Sequence, residues 1–306
     1  MVEDGAMRTE VRLCFDVSDV PEGGWAFLDL ARCGSDVAKV DDTPVLGVLD
    51  AWVTLDEKDA RVPLLLELLR RRGMSWLEWR DDRYTEEELD AAPLLLIKPT
   101  RKCEVSGGVR WGMDYDLSGA CPACGTGGRQ TSAVFIAGEE LGDLEGHRAS
   151  ATLFLHMLVD EGLAAELERI GAKGLSFRSV YALMPDRRQT KLRWRQMCAQ
   201  RTLPPMSPRT TGIVRERPCE VCNRNGYSGT MKQPTRIVYR AEDLRDAEDV
   251  NLSWENHGYA ILKPDIHESL LSNPWMLVTP RVRRVFRDAG VTEFDWTPIR
   301  VDGTAP

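Results

Sequence analysis

Two short stretches decide how this chain is organised: Cys121-Pro122-Ala123-Cys124-Gly125 and Cys219-Glu220-Val221-Cys222-Asn223. Each stretch is a C-x-x-C turn, which brings two thiolates close enough to bind one metal ion. Four thiolates from two such turns form a tetrahedral site, the usual coordination of a structural zinc ion. The two turns lie much further apart in the sequence than those of a compact zinc ribbon, so a shared ion would join distant parts of the chain. The sequence therefore predicts a structural Zn²⁺ site with the ligands Cys121, Cys124, Cys219 and Cys222.

Two alternatives to a zinc site remain open for the cysteine pairs. Either pair could be a degenerate remnant or a redox pair, although redox C-x-x-C motifs open a helix in a thioredoxin-like βαβ context that neither pair has. Cys103 lies close to the first pair and is a fifth candidate ligand. We interpret it instead as a buried free thiol, like Cys14, Cys33 and Cys198.

The composition is typical of a globular protein with an acidic surface. The 306 residues are 42% hydrophobic and 29% charged, and the formal net charge is −8. A general nucleic-acid binder would carry a basic footprint, so nucleic acid is not the expected partner. An acidic surface suits a basic protein partner, although it also promotes solubility.

The chain shows no sign of export or of a membrane span. Its first residues lack the apolar core of a secretory signal, and no apolar run is long enough to cross a bilayer. We therefore expect a cytoplasmic protein without a membrane partner. Thiols stay reduced in that compartment, which favours metal binding over disulfides at the two C-x-x-C pairs.

A pattern of helix, glycine and strand occurs three times. The helices are predicted over Asp59–Arg72, Ala164–Ile170 and Val282–Ala289. Each is followed by a glycine and then by an apolar–polar–aromatic strand: Gly73 with Trp76–Trp79, Gly171 with Gly174–Phe177, and Gly290 with Glu293–Trp296. Glycine ends a helix at low cost because it adopts the left-handed conformation freely. The copies are too far apart for a solenoid, so the pattern predicts a duplicated module.

The predicted fold class is α+β, with repeated modules joined by the four-cysteine zinc site. We divide the chain into an N-terminal unit (1–105), a first C-x-x-C unit (106–200) and a second C-x-x-C unit (201–306). The last two are expected to form one zinc-stapled domain. Because Asp186–Arg195 is basic and Leu203–Pro208 is rich in proline, we expect the linker between these two units there.

No enzyme motif is present in the sequence. His267-Glu268 opens like the H-E-x-x-H zinc-protease motif, but Leu271 stands where the second histidine is required. We interpret Gly125-Thr126-Gly127-Gly128 as the turn after the first cysteine pair and not as a phosphate-binding loop. The four histidines are interpreted as structural or surface groups. With four cysteine ligands and no general base beside them, the chain is expected not to be an enzyme.

The two cysteine pairs, the dipeptides Gln130-Thr131 and Pro234-Thr235 after them, and the ending Leu277–Phe294 resemble the double-CXXCG motif paralogous family of myxobacteria. That family includes immunity proteins of the Sit swarming-inhibition type. The resemblance covers Thr100 to Arg300, and the chain departs from the family pattern at Asn223, where the family has glycine. The resemblance implies a zinc-stabilised, non-catalytic immunity protein that binds and neutralises a cognate toxin encoded nearby.

A second hypothesis is a zinc-ribbon-like nucleic-acid-binding or regulatory adaptor. It rests on two arginine-rich stretches, Arg187–Arg195 and Arg281–Arg287, which could contact nucleic acid through charge and stacking. Arginines of this kind are more often solvated or paired with carboxylates.

Overall fold

The structure is a computed structural model that describes residues 7–41, 43, 48–100, 102–103, 111–258 and 273–303. Its secondary structure is mixed, with many strands and few helices, which confirms the α+β class. The chain divides into two compact units: unit 1 holds the residues up to Glu86 and the segment Gly229–Thr235, and unit 2 holds the rest. No helix in the described part of the chain has the length and apolar character needed to cross a membrane.

Unit 1 is a four-stranded sheet with its core on one face. Its elements are β1 (Arg8–Asp16), α1 (Gly24–Leu30), β2 (Ala38–Val40), β3 (Asp50–Asp56), α2 (Arg61–Arg71) and β4 (Leu77–Arg83). The strand order is β2–β3–β1–β4, and neighbours are antiparallel. Alternate residues of β1, namely Val11, Leu13 and Phe15, are buried in one cluster with Leu65 and Leu69 of α2. The helix α2 connects β3 to β4 in the sequence, and its buried leucines pack against the sheet to which both strands belong.

The glycine predicted to end each helix does so in all three places. Gly73, Gly171 and Gly290 have positive φ angles of 65°, 62° and 73°. In each case the glycine N–H donates to the carbonyl oxygen three residues earlier. A side chain is strained in this left-handed conformation, so glycine allows the chain to turn sharply into the next strand.

Unit 2 consists of two halves that follow one another in the chain. The elements of half A are α3 (Glu86–Ala91), β5 (Leu95–Pro99), β6 (Lys102–Cys103), β7 (Tyr115–Asp116), β8 (Arg129–Gln130), β9 (Val134–Ala137), β10 (Ala149–Thr152), β11 (Met157–Asp160), α4 (Glu161–Arg169) and β12 (Leu175–Leu183). The elements of half B are β13 (Gln189–Ala199), β14 (Arg201–Thr202), β15 (Ile213–Arg215), β16 (Tyr227–Gly229), β17 (Val238–Tyr239), β18 (Val250–His257), β19 (Asn273–Val278), α5 (Pro280–Asp288), β20 (Phe294–Pro298) and β21 (Arg300–Val301). A 3₁₀ turn follows β9 at Gly138–Leu144, and another follows β17 at Glu242–Leu244.

The two large sheets of unit 2 share one strand order. Within the described residues the first sheet runs β6–β10–β11–β13–β12–β9. The second sheet runs β14–β18–β19–β5–β20. The strand β16 also pairs with β18, and β15 lies beyond β16. The last position is taken by β17, which is parallel to β21 just after β20, as β9 is parallel to β12. Apart from β15 and β16, which have no counterpart among the described strands of the first sheet, the strands of the two sheets correspond, with the separate pair β17–β21 in the place of β9 and the end of β12.

The correspondence extends to the pairing register. The central strands β13 and β5 are each antiparallel to both neighbours. Five consecutive pairs between β12 and β13 match five between β20 and β5: Leu175–Ala199 to Ser179–Arg195 in the first sheet, and Phe294–Pro99 to Pro298–Leu95 in the second. The buried residues also correspond: Val134, Ile136, Leu158 and Val180 in the first core, and Ile237, Tyr239, Leu277 and Ile299 in the second.

Each central strand comes from the other half of the chain. β5 lies at the centre of the second sheet, yet β6, which follows it directly, is at the edge of the first. Likewise β13 lies at the centre of the first sheet, and β14, which follows it, pairs with β18 of the second. The two halves therefore exchange their first strands, and neither sheet is complete without both halves.

The predicted linker is wrong in its basic part. Gln189–Ala199 forms the central strand β13. Its charged residues alternate with Leu192 and Trp194, which pack against the first core, so the period is that of a strand. Leu203, at the start of the proline-rich part, is buried in the second core.

Candidate metal centre

The structure brings the four predicted cysteines together. Their sulfur atoms all lie within 4.8 Å of one another. The Sγ atoms of Cys121 and Cys219 are 3.8 Å apart, and those of Cys124 and Cys222 are 3.6 Å apart. A tetrahedral ion with Zn–S bonds of about 2.3 Å holds its sulfurs about 3.8 Å apart, whereas a disulfide holds them at about 2.05 Å. The four thiols thus form a possible metal site with the spacing of a tetrahedral thiolate centre.

The two cysteine turns have the same backbone geometry. Gly125 N donates to the carbonyl oxygen of Cys121 at 2.8 Å, and Asn223 N donates to that of Cys219 at 2.9 Å. Both residues are left-handed, with φ angles of 73° and 58°. Asparagine is among the few residues other than glycine that visit this conformation readily. The replacement of glycine by Asn223 therefore leaves the second turn intact.

Two buried polar residues connect the turns to each other. The side-chain oxygen of Asn225 accepts a hydrogen bond from Cys219 N at 2.8 Å, and its Nδ2 donates to Thr126 Oγ1 at 3.1 Å. Thr126 Oγ1 lies 3.2 Å from the Sγ of Cys124. The sequence places Thr126 in the turn after the first pair but predicts no contact for it, and it does not single out Asn225. The available signal was a polar residue two or three positions after each pair, which is too common to point to a role.

Burial and backbone amides act in opposite directions on the thiols. Burial raises the pKa of Cys124 to about 12 and also raises the pKa of Cys222. Burial acts the same way on Cys219, but hydrogen bonds from the N–H groups of Cys222 and Val221, together with those of the Cys124 and Cys121 thiols, outweigh it and lower the pKa of Cys219 to about 7. A bound cation favours the thiolate form at every ligand, so metal binding would release protons from the buried thiols.

The three other cysteines whose side chains the structure describes are not part of this site. Cys14 and Cys33 are buried in unit 1 and Cys198 is half-buried in unit 2, all three as free thiols. The side chain of Cys103, the fifth candidate, lies outside the described residues.

The histidines that the structure describes have partners within the fold. His156 is buried, with Nδ1 2.9 Å from Thr152 Oγ1 and Nε2 3.3 Å from the Tyr115 hydroxyl. His147 Nδ1 forms a hydrogen bond with the Glu293 carboxylate. His267 lies outside the described residues. The prediction that they are structural or surface groups agrees with these contacts.

Comparison with known proteins adds no family. The chain matches no protein-family model, and no curated protein matches it. The resemblance to the double-CXXCG family, which rests on the cysteine pairs and the C-terminal stretch, stays a prediction.

Proposed function

We propose that this chain is a cytoplasmic, zinc-stabilised, non-catalytic immunity protein that binds and neutralises a cognate protein toxin encoded nearby. The observation that carries the zinc part is the cluster of four sulfurs at tetrahedral spacing. Cys121, Cys124 and Cys219 are buried and Cys222 is half-buried. An all-thiolate, closed donor set suits a structural zinc ion, since a catalytic ion keeps a coordination position open for water or substrate.

The binding part rests on the family resemblance and on charge. A net charge of −8 would attract a basic toxin and speed their encounter. The four-cysteine site links the two halves of unit 2, because it joins residues near position 121 to residues near position 219. Such a link stabilises a scaffold for binding without contributing a reacting group.

We also propose that the halves of unit 2 arose by duplication of one module. Their common strand order, common register and exchanged central strands support this origin. Unit 1 has a related arrangement, since β1 lies between β3 and β4 and α2 connects those two strands. Its register around the glycine differs from that of unit 2, so we infer a more distant copy.

The adaptor hypothesis receives less support. Arg193 and Arg195 lie 3.3 Å and 3.9 Å from the carboxylate of Glu161. In the later stretch, Arg281 pairs with Asp249 at 3.2 Å. Guanidinium groups paired in this way present less free charge to a phosphate backbone.

The decisive experiment is affinity purification of the tagged protein from its native cells, followed by mass spectrometry. We expect one stoichiometric protein partner, encoded beside this gene and toxic when expressed without it. A Cys121→Ser/Cys219→Ser variant purified in parallel should lose both zinc and the partner. Salt-sensitive recovery of DNA or RNA, or a partner without toxicity, would contradict the immunity function.

A further inference from the structure

Unit 2 contains a cavity of about 520 Å³ beside the first cysteine turn. Its walls come from both halves of the unit, and they include Gly125, Gly127 and Gly128 of that turn. Three arginines line it, namely Arg129, Arg178 and Arg224, and none of its described lining residues is a carboxylate. The whole chain has 48 acidic residues against 40 lysines and arginines. The cavity is therefore positive in a protein that is negative overall.

Two of the three arginines have partners. Arg129 is exposed and pairs with Asp116 at 3.1 Å. Arg224 stacks on the ring of Trp254 at 5.5 Å and donates to the Trp254 carbonyl oxygen at 3.2 Å. Burial raises the pKa of Glu255, and the positive charge of Arg224 partly offsets this rise. Arg129 is thus paired with a carboxylate, and the guanidinium of Arg224 is held by the ring and the carbonyl oxygen of Trp254.

Arg178 is different, because no described residue pairs with its charge. It is half-buried on β12, and among the residues that the structure describes it forms no ion pair and no side-chain hydrogen bond. Burial, with a smaller contribution from the charge of Arg178, lowers the pKa of His156 to about 4, so the histidine beside it is neutral at pH 7. The guanidinium of Arg178 is therefore available to an anion that enters the cavity, and charge-assisted pairs of arginine with carboxylate or phosphate are strong.

The rest of the cavity combines fixed polar groups with an apolar wall. Gln130 and Gln196 are buried and exchange two hydrogen bonds of 2.9 and 2.8 Å, so their amides satisfy each other. Three methionines, Met157, Met197 and Met276, are among the apolar residues that line the cavity. Methionine side chains adapt to varied apolar shapes.

The second sheet indicates that the fold does not need these polar groups. Counted along the strands from the matched register, three residues of the first sheet correspond to three of the second: His156 to Trp275, Arg178 to Thr297, and Gln196 to Leu96. The same backbone thus forms with aromatic, hydroxyl and aliphatic side chains. The polar set of the first sheet calls for a reason other than folding.

We propose that this cavity binds a small amphiphilic anion, whose carboxylate or phosphate group pairs with Arg178 and whose apolar body contacts the methionines. The volume lies within the range of about 300–1,000 Å³ that is typical of small-molecule sites. This site goes beyond the immunity function, because its ligand is a small molecule and not a protein.

The test is calorimetric titration of the zinc-loaded full chain with phenyl phosphate, benzoate and inorganic phosphate, and with benzyl alcohol as the neutral control. At least one aromatic anion should bind with a stoichiometry of one, and benzyl alcohol should bind at least about tenfold more weakly. Arg178→Gln should weaken anion binding at least about tenfold. The matched control is Arg193→Gln, an exposed arginine of the same sheet, which should bind like the wild type. A preference for phenyl phosphate or for benzoate identifies the charged group.

A second measurement keeps the proposal testable if Arg178→Gln fails to fold. With methyl-labelled methionines, the anion should shift the NMR signals of Met157, Met197 and Met276 and leave that of Met74 in unit 1 unchanged. The proposal is overturned if no aromatic anion binds the wild type at about 10 mM, if benzyl alcohol binds equally well, or if the folded Arg178→Gln variant retains full affinity.

Discussion

The two large sheets of unit 2 follow one plan but differ at the centre. Gln196 of β13 is buried in the first sheet in a reciprocal amide pair with Gln130, whereas Leu96 of β5 is buried in the apolar core of the second. Both residues occupy the same register position. The backbone plan therefore accepts either a hydrogen-bonded polar pair or a hydrocarbon at its centre. The first sheet supplies Gln196 of the amide pair and Arg178 to the wall of the cavity, whereas the second sheet has apolar packing at the matching central position.

The largest expected effect comes from breaking the site that joins the two halves. Cys219→Ser should abolish zinc binding and remove most of the stability of unit 2, since structural zinc sites contribute apparent free energies of about 10–16 kcal/mol. Metal content by elemental analysis and thermal unfolding would measure both effects. Cys198→Ser, in the same unit but outside the site, is the matched control. A metal-free variant with unchanged stability would show that the halves hold together without the ion.

The next effect compares the central strands directly. Leu96→Ala should lower the free energy of unfolding by about 2–5 kcal/mol, because a fully buried leucine is replaced by a cavity. Gln196→Leu should cost about 1–3 kcal/mol, because it leaves the buried Gln130 amide without its partner. The double change Gln130→Leu/Gln196→Leu should recover most of that loss and make the first sheet resemble the second. Chemical denaturation measures all three, and a double variant that is no more stable than Gln196→Leu would refute the equivalence of the centres.

A smaller effect depends on pH. It concerns His156 of the first sheet, which corresponds to Trp275 of the second sheet. The folded protein lowers the pKa of His156 from 6.5 to about 4, so its contribution to stability is present above pH 6.5 and is lost as the pH falls towards 4. Between pH 7.5 and 5.5 this amounts to about 1.3 kcal/mol. His156→Gln should therefore reduce the loss of stability over this interval by that amount. Identical pH profiles of the wild type and the variant would argue against a neutral buried histidine.

The smallest effect distinguishes the two cysteine turns. Asn223→Gly should change stability by less than about 0.5 kcal/mol and keep the zinc, since glycine suits a left-handed position. Asn223→Ala should cost about 1 kcal/mol more than Asn223→Gly, because alanine is strained in the left-handed conformation; the hydrogen bond that Arg215 donates to the Asn223 side chain at 2.8 Å is lost in both variants. Thermal unfolding of both variants at saturating zinc measures the difference. An alanine variant as stable as the glycine variant would contradict the assigned backbone conformation.

Several features could be predicted from the sequence because their causes are local. A C-x-x-C turn is formed by only five consecutive residues, and four cysteine thiolates are a usual ligand set of a structural zinc ion. We could therefore expect the two pairs to meet at one site. The three helices were placed within a few residues of their observed bounds, since Gly73, Gly171 and Gly290 mark their ends. The basic stretch of β13 was misread as a linker because its charges concealed the alternation of Leu192 and Trp194.

The sequence by itself determined the α+β class, the helix–glycine–strand units and the pairing of the two cysteine turns, because these follow from local conformation and ligand chemistry. Only the tertiary structure decided that β5 and β13 cross into the opposite sheets. It also decided that Asn225 would reach Thr126 and that Arg178 would line a cavity whose described lining residues include no carboxylate. The physical reason is that strand pairing and side-chain burial depend on residues that are distant in the sequence, such as Leu96 and Leu277 or Thr126 and Asn225. A strand pattern shows which face is apolar, but it does not show which of two matching sheets the strand will complete.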